Sequence, residues 1–195
     1  MSTATPTPDQ ALQMLVTGNR RYVSGQALHP NQSAERRQAL VSGQQPFAAV
    51  LACADSRVPP EVFCDQGLGD LFVVRNAGNV VDDVVLGSLE YAVEHLGAPL
   101  VAVIGHTRCG AITAAVQGGH APGHIASVVD RLKPAVAAAS GEAGNAVLNA
   151  VVANVRQAVA ALKACEPILA EAARIGRLQV AGGVYYLDTG ELEFI

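Results

Sequence analysis

The stretch "LFVVRNAGNVVDDVVLGSLEYAVEHLGAPLVAVIG" (71–105) decides the fold. Its ends, "LFVVR" (71–75) and "LVAVIG" (100–105), are short apolar runs of the length expected for strands buried on both faces. Between them "DDVVLGSLEYAVEHLG" repeats apolar residues at helical spacing, so that Val85, Leu89, Ala92, Val93 and Leu96 share one face and Gly97 ends the helix. Strand, helix and strand in this order form a β-α-β unit, whose right-handed crossover builds a parallel sheet. Ligands bind such sheets beyond the carboxyl ends of the strands.

Outward from this unit the same pattern recurs. "FAAVLAC" (47–53) and "LQVAGGVYYL" (178–187) read as further strands, and "YYLDTGELEFI" as a strand, a turn at Asp188, Thr189 and Gly190, and a final strand forming an edge hairpin. Upstream, Thr7 caps a helix over about 8–24 that starts on Pro8 and has Gln10 in the capping-box position. Leu12, Leu15, Val16, Tyr22 and Val23 are its expected apolar face. A second helix is expected over about 33–43, capped by Ser33 and stopped by Gly43. The stretch 123–175 reads as mostly helical, with a cap near Ser127, a kink or restart at Pro134, and the long Ala/Val-rich run "NAVLNAVVANVRQAVAALKAC" set against the sheet or a second subunit. The expectation is a single α/β domain over 1–195, with a helical arm (1–45) and an α/β core (46–195) built on a mostly parallel central sheet flanked by helices.

Composition narrows the function. Half of the 195 residues are hydrophobic and 15% are charged, the profile of a chain that buries a core. Thirteen Lys and Arg against seventeen Asp and Glu leave a net charge of −4 with no basic cluster, which gives a nucleic-acid or anionic-membrane partner no support. No apolar stretch reaches the roughly 20 residues that span a bilayer, and "MSTATPTPDQ" lacks the pattern of a secretion signal, so a cytoplasmic location is expected. Cysteines at 53, 64, 109 and 165 are too few and too scattered for a disulfide scaffold. As thiols they either fill cores or bind metal.

Two motifs stand at strand ends. "CADSRV" (53–58) follows "FAAVLA", and "GHTRCGA" (105–111) follows "LVAVI", so both lie at the carboxyl edge of one sheet and their side chains can converge. Cys53, His106 and Cys109 then offer two thiolates and an imidazole, a ligand set suited to Zn²⁺. The helix starting near Gly110 favours the thiolate form of Cys109. Cys64 and Cys165 read as small buried residues, which leaves the fourth metal position open for water or substrate, as in a catalytic site. An ionised Asp55 accepts hydrogen bonds only, so it would receive a hydrogen bond from a solvent molecule at that position and orient its lone pair. Arg57 can hold Asp55 in a bidentate grip; without that grip, Asp55 is itself a plausible fourth ligand.

The blocks "CADSRVPPE", "GDLFVVRNAGN", "SLEYAV" and "GHTRCGA", in this order, resemble the β-class carbonic anhydrases, and the resemblance covers roughly 10–195. It implies a lyase that interconverts CO2 and bicarbonate with one Zn²⁺ per subunit, held by Cys53, His106 and Cys109, and with Asp55 and Arg57 as the dyad that orients zinc-bound hydroxide. It implies a homodimer or higher homo-oligomer with active sites at the dimer interface. It further places substrate-side contacts at Gln44, Phe72, Tyr91 and the backbone N–H of Gly110, with Ala77 where Val is common. Val50 stands where a bicarbonate-regulated subgroup carries Trp, which favours the subgroup whose site stays open. Two other classes stay in view: a scaffold protein that keeps the fold, and a hydrolase of a linear molecule such as CS2. His29, His95, His120 and His124 read as surface or capping residues, the last two with a possible role in proton transfer.

Overall fold

A computed structural model describes residues 5–195; the first four residues of the expected arm lie outside the described ones. Five strands, β1 (Ala48–Cys53), β2 (Leu71–Asn76), β3 (Leu100–His106), β4 (Gln179–Tyr185) and β5 (Leu192–Phe194), form one sheet in the order β2-β1-β3-β4-β5. The first four run parallel and β5 closes the hairpin antiparallel to β4. Eight α-helices accompany them among the described residues: α1 (Pro8–Val23), α2 (Ala34–Ala39), α3 (Pro60–Phe63), α4 (Asp83–Glu94), α5 (Gly110–Gln117), α6 (Ile125–Ala138), α7 (Ala146–Lys163) and α8 (Ile168–Arg174). None is long and apolar enough to cross a membrane.

The alternation of a pleated strand divides the core in two. Ala48, Val50, Ala52, Leu100, Ala102 and Ile104 face a cluster that includes Leu15 of α1, Phe63 of α3, Ile112 of α5 and Leu132 of α6. Ala49, Leu51, Val101 and Val103 face a second, covered by Leu89 of α4, Val155 and Leu162 of α7, and Leu169 of α8. β1 and β3 are buried along their whole length, as their unbroken apolar runs require. In α4, Asp82 caps the first turn; Gly97 turns the chain at φ +69°, the stop the sequence predicts, while Leu96 stays only half-buried.

Three expectations need correction. The buried stripe of α1 runs through Ala11, Leu15, Gly18 and Asn19; Leu12, Val16 and Tyr22 are half-buried and Val23 is exposed. Asn19 accounts for the rotation, because its amide donates to the carbonyls of Phe63 and Gly190 and accepts the N–H of Leu192, tying α1 to α3 and the hairpin. α2 ends at Ala39, short of Gly43, since it buries no residue and a helix without a packed face has little to extend it. α6 starts at Ile125 without a Ser127 cap, its first N–H groups being met by the turn Pro122–His124, and it runs unbroken through Pro134. Pro134 lies on the exposed face, where water can meet the carbonyl its ring leaves free.

Candidate metal centre

The register of the parallel strands brings the two motifs together. Ala52 of β1 pairs with Ile104 of β3, so Cys53 and His106, the last residues of their strands, emerge side by side at the carboxyl edge. Arg108, in the left-handed region at φ 57°, turns the chain so that Cys109 returns to the same spot as the N-cap of α5. The two sulfurs lie 4.0 Å apart, and they and a His106 ring nitrogen all fall within 4.8 Å of one another. All three side chains are buried, at 4%, 1% and 1% exposure for Cys53, His106 and Cys109.

A metal fits this arrangement on two counts. His106 Nδ1 is 2.9 Å from the Thr107 carbonyl, which holds the proton on that nitrogen and leaves Nε2 with a lone pair. Nε2 is buried with no hydrogen-bond partner, an arrangement that costs free energy unless something else binds there. Two sulfurs on one tetrahedral zinc would sit about 3.8 Å apart, close to the separation seen. In the protein alone the two thiols are hydrogen-bonded to each other, which lowers the pKa of one and raises that of the other; His106 and the Gly78 N–H, 3.3 Å from the Cys53 sulfur, favour Cys53 as the lower.

Asp55 and Arg57 form the expected fork. Asp55 Oδ1 accepts the Arg57 main-chain N–H and Nε–H, both at 2.9 Å, and Oδ2 accepts Nη2–H at 2.7 Å. The guanidinium beside it holds the Asp55 carboxyl well below the usual carboxylate range, and Asp55 in turn raises Arg57. Asp55 Oδ2 lies 3.9 Å from His106 Nε2, at the edge of the cluster.

Of the other positions, only Gly110 adjoins the cluster within one chain, as the first residue of α5 after Cys109. Gln44 lies before β1, whose six residues span about 16 Å, so it stands at the opposite end of the sheet from Cys53. Phe72 and Tyr91 have ring centroids 6.2 Å apart, across β2 and α4, and Phe72 pairs with Ala49 near the start of β1. Cys64 is fully buried, and burial pushes its thiol up. Cys165 departs from the buried role expected of it: it is half-buried, and its thiol approaches Glu90 at 3.5 Å. His29, His95, His120 and His124 are all exposed.

The sequence reading missed Arg75, counted only as part of strand β2. Its Nε–H donates to the Cys53 carbonyl at 2.8 Å and its Nη2–H to the Asp55 carbonyl at 2.5 Å, so one guanidinium braces the backbone of a candidate ligand and of the dyad. An arginine at the carboxyl end of a buried strand was the available signal.

A family model described as carbonic anhydrase matches residues 48–192. The chain is 43% identical over 187 residues to carbonic anhydrase 2 of Mycobacterium tuberculosis, covering 94% of this chain and 90% of that protein. The chain belongs to the β-class carbonic anhydrase family. A solved β-carbonic anhydrase of Coccomyxa, in complex with acetazolamide, shares the fold at a TM-score of 0.75 and 29% identity, over 94% of this chain and 86% of that one. A tetrameric β-carbonic anhydrase of the ascomycete Sordaria macrospora has a TM-score of 0.76 at 24% identity, over 95% of this chain and 97% of that one, which bears on the fold alone. The protein is thus an enzyme of the carbonic anhydrase class, a lyase, and its Cys53, His106 and Cys109 form a group able to hold a metal.

Proposed function

We propose that the protein hydrates CO2 reversibly to bicarbonate and a proton with one Zn²⁺ held by Cys53, His106 and Cys109. The observation that carries this reading is the buried, unpartnered Nε2 of His106, set within 4.8 Å of two cysteine sulfurs and 3.9 Å from Asp55. When bound, zinc supplies a Lewis acid that makes water nucleophilic near neutral pH, as is known for carbonic anhydrases with three histidine ligands.

The chain's own residues do the rest. Asp55, kept ionised by Arg57, accepts a hydrogen bond from the attacking solvent molecule and so directs its lone pair toward the carbon of CO2. Arg57 occupies both carboxylate oxygens, which holds Asp55 in place and off the metal. Arg75 fixes the main chain on which Cys53 and Asp55 ride. The Gly110 N–H, beside Cys109, is placed to meet a substrate oxygen.

Gln44, Phe72 and Tyr91 cannot serve the cluster of their own chain at the far end of β1. They serve the substrate pocket only if a second copy presents them, so the proposed state is a homodimer or higher homo-oligomer with sites at the interface. We place the enzyme in the cytoplasm, free of membrane and nucleic-acid partners, in line with its charge of −4. Stopped-flow hydration of CO2, with zinc measured on the same sample and CS2 offered in parallel, tests the proposal. Zinc-dependent turnover of CO2 is expected; zinc-bound protein that turns over only CS2, or neither substrate, contradicts it.

A further inference from the structure

The three-residue turn Ala77–Asn79, between β2 and α4, buries Gly78 and Asn79 against the candidate metal centre. Its middle residue, Gly78, sits at φ 75° and ψ 16°, a left-handed conformation in which a side chain is strained. A Cβ there would also meet Leu132 of α6 at 2.9 Å and Ala111 of α5 at 3.3 Å. Gly78 thus brings bare backbone against the cluster, and its N–H reaches the Cys53 sulfur at 3.3 Å.

Two amides hold this turn. At its base, the Asn76 side chain both accepts the N–H of Val80, at 2.8 Å, and donates to its carbonyl, at 2.9 Å. At its apex, Asn154 of α7 donates Nδ2–H to the Gly78 carbonyl at 3.0 Å. Asn154 is 7% exposed and lies in the apolar run "VVANV", where an amide finds little else to bond. Its helix is locked to the ligand strand: a Cβ on Gly105, the residue before His106, would meet Val155 at 2.8 Å and Val151 at 2.9 Å. One helix therefore bears on β3 beside one candidate ligand and, through Gly78, on the sulfur of another.

We infer that Asn154 is a positioning residue for the metal centre, fixing the Gly78 turn so that its N–H stays hydrogen-bonded to the Cys53 sulfur. This rests on the reading that Cys53, His106 and Cys109 hold zinc. An N–H bonded to a metal thiolate withdraws charge from the sulfur and limits its swing about Cα–Cβ, and loss of such a support typically weakens metal binding about 10- to 100-fold. With the apex amide removed, the Gly78 carbonyl loses its partner and the turn is free to rotate its N–H away.

The test uses the purified full chain, loaded with zinc and, separately, with Co²⁺. Asn154→Leu keeps the branched shape and removes the donor, and Asn154→Ala is the second variant should the bulkier Leu not fold. Each should release zinc to excess chelator with an affinity about tenfold weaker than wild type. Each should also move the sulfur-to-cobalt charge-transfer band to longer wavelength, since a sulfur without its hydrogen bond gives up charge more readily. Asn149→Ala on the same helix, which loses only bonds to the carbonyls of Glu142 and Ala143, should shift neither readout. Variants with a lower melting temperature but wild-type zinc affinity and an unmoved cobalt band would show Asn154 to be structural only and overturn the inference. Wild-type protein that takes up neither metal would instead overturn the reading of the site beneath it.

Discussion

Asp65 and Asp55 are both carboxylates gripped by an arginine, and they differ in what the grip leaves over. The Asp65 side chain is fully buried: Oδ2 accepts Arg21 Nε–H at 2.5 Å and the N–H of Leu28 at 3.0 Å, while Oδ1 accepts the N–H of His29 at 2.9 Å. Burial alone would raise its pKa, but the Leu28 N–H, Arg21 and the His29 N–H outweigh that and lower it. Every bond its side chain makes joins the arm to the turn after α3, and both oxygens are taken up by the fold. Asp55 is 16% exposed, its partner Arg57 is 53% exposed, and its Oδ2 faces the open edge of the Cys-His-Cys group. The same pair of residue types closes one region of the molecule and equips another for chemistry, and the number of backbone donors spent on the carboxylate decides which.

Substitutions can break this contrast, in descending size of effect. Cys53→Ala or Cys109→Ala should abolish CO2 hydration and bound zinc together, as read by stopped flow and elemental analysis, while leaving Asp65 and its contacts intact. Arg57→Ala should keep its zinc but lose activity by about 10³-fold, the worth of a misplaced general acid–base partner, with unfolding free energy changed by less than about 1 kcal/mol since the Arg57 side chain is 53% exposed. Wild-type turnover in Arg57→Ala would refute the dyad. Asp65→Ala should show the converse: about 3 kcal/mol less stable in chemical denaturation, because a buried pair is broken, yet near-normal in activity per folded molecule.

The acid limb sharpens the contrast further. Both carboxylates titrate lower in the folded protein than unfolded, so each stabilises the fold above the ordinary carboxylate pKa of about 4 and loses that contribution as pH falls toward its folded value. Unfolding measured from pH 6 down to pH 3 should therefore fall less steeply in Asp65→Ala than in wild type; an unchanged slope would deny Asp65 this role. At the small end, Lys133→Ala removes an exposed pair with Asp130 on α6 and should alter stability by no more than about 0.5 kcal/mol.

Legibility in the sequence followed the distance over which each signal acts. Thr7, Pro8 and Gln10 announced the start of α1 because capping involves neighbours only. Cys53, His106 and Cys109 were readable because the ends of buried parallel strands converge and the His-x-x-Cys step is short. Asn19, Arg75 and Asn154 were not, since their partners lie far along the chain: Asn19 meets Gly190 and Asn154 meets Gly78, pairings no local pattern encodes. Pro134 misled because a proline breaks a helix only where the freed carbonyl cannot be met, and its place on the exposed face is a tertiary fact. Gln44, Phe72 and Tyr91 came from family resemblance alone, and their distance from the cluster of their own chain is what points to a second copy.

The most direct test of the account is X-ray absorption at the zinc edge of the purified protein. Two sulfurs at about 2.3 Å, one nitrogen at about 2.0 to 2.1 Å and one further light atom are predicted. A shell of four sulfurs, or of nitrogen and oxygen without sulfur, would contradict it.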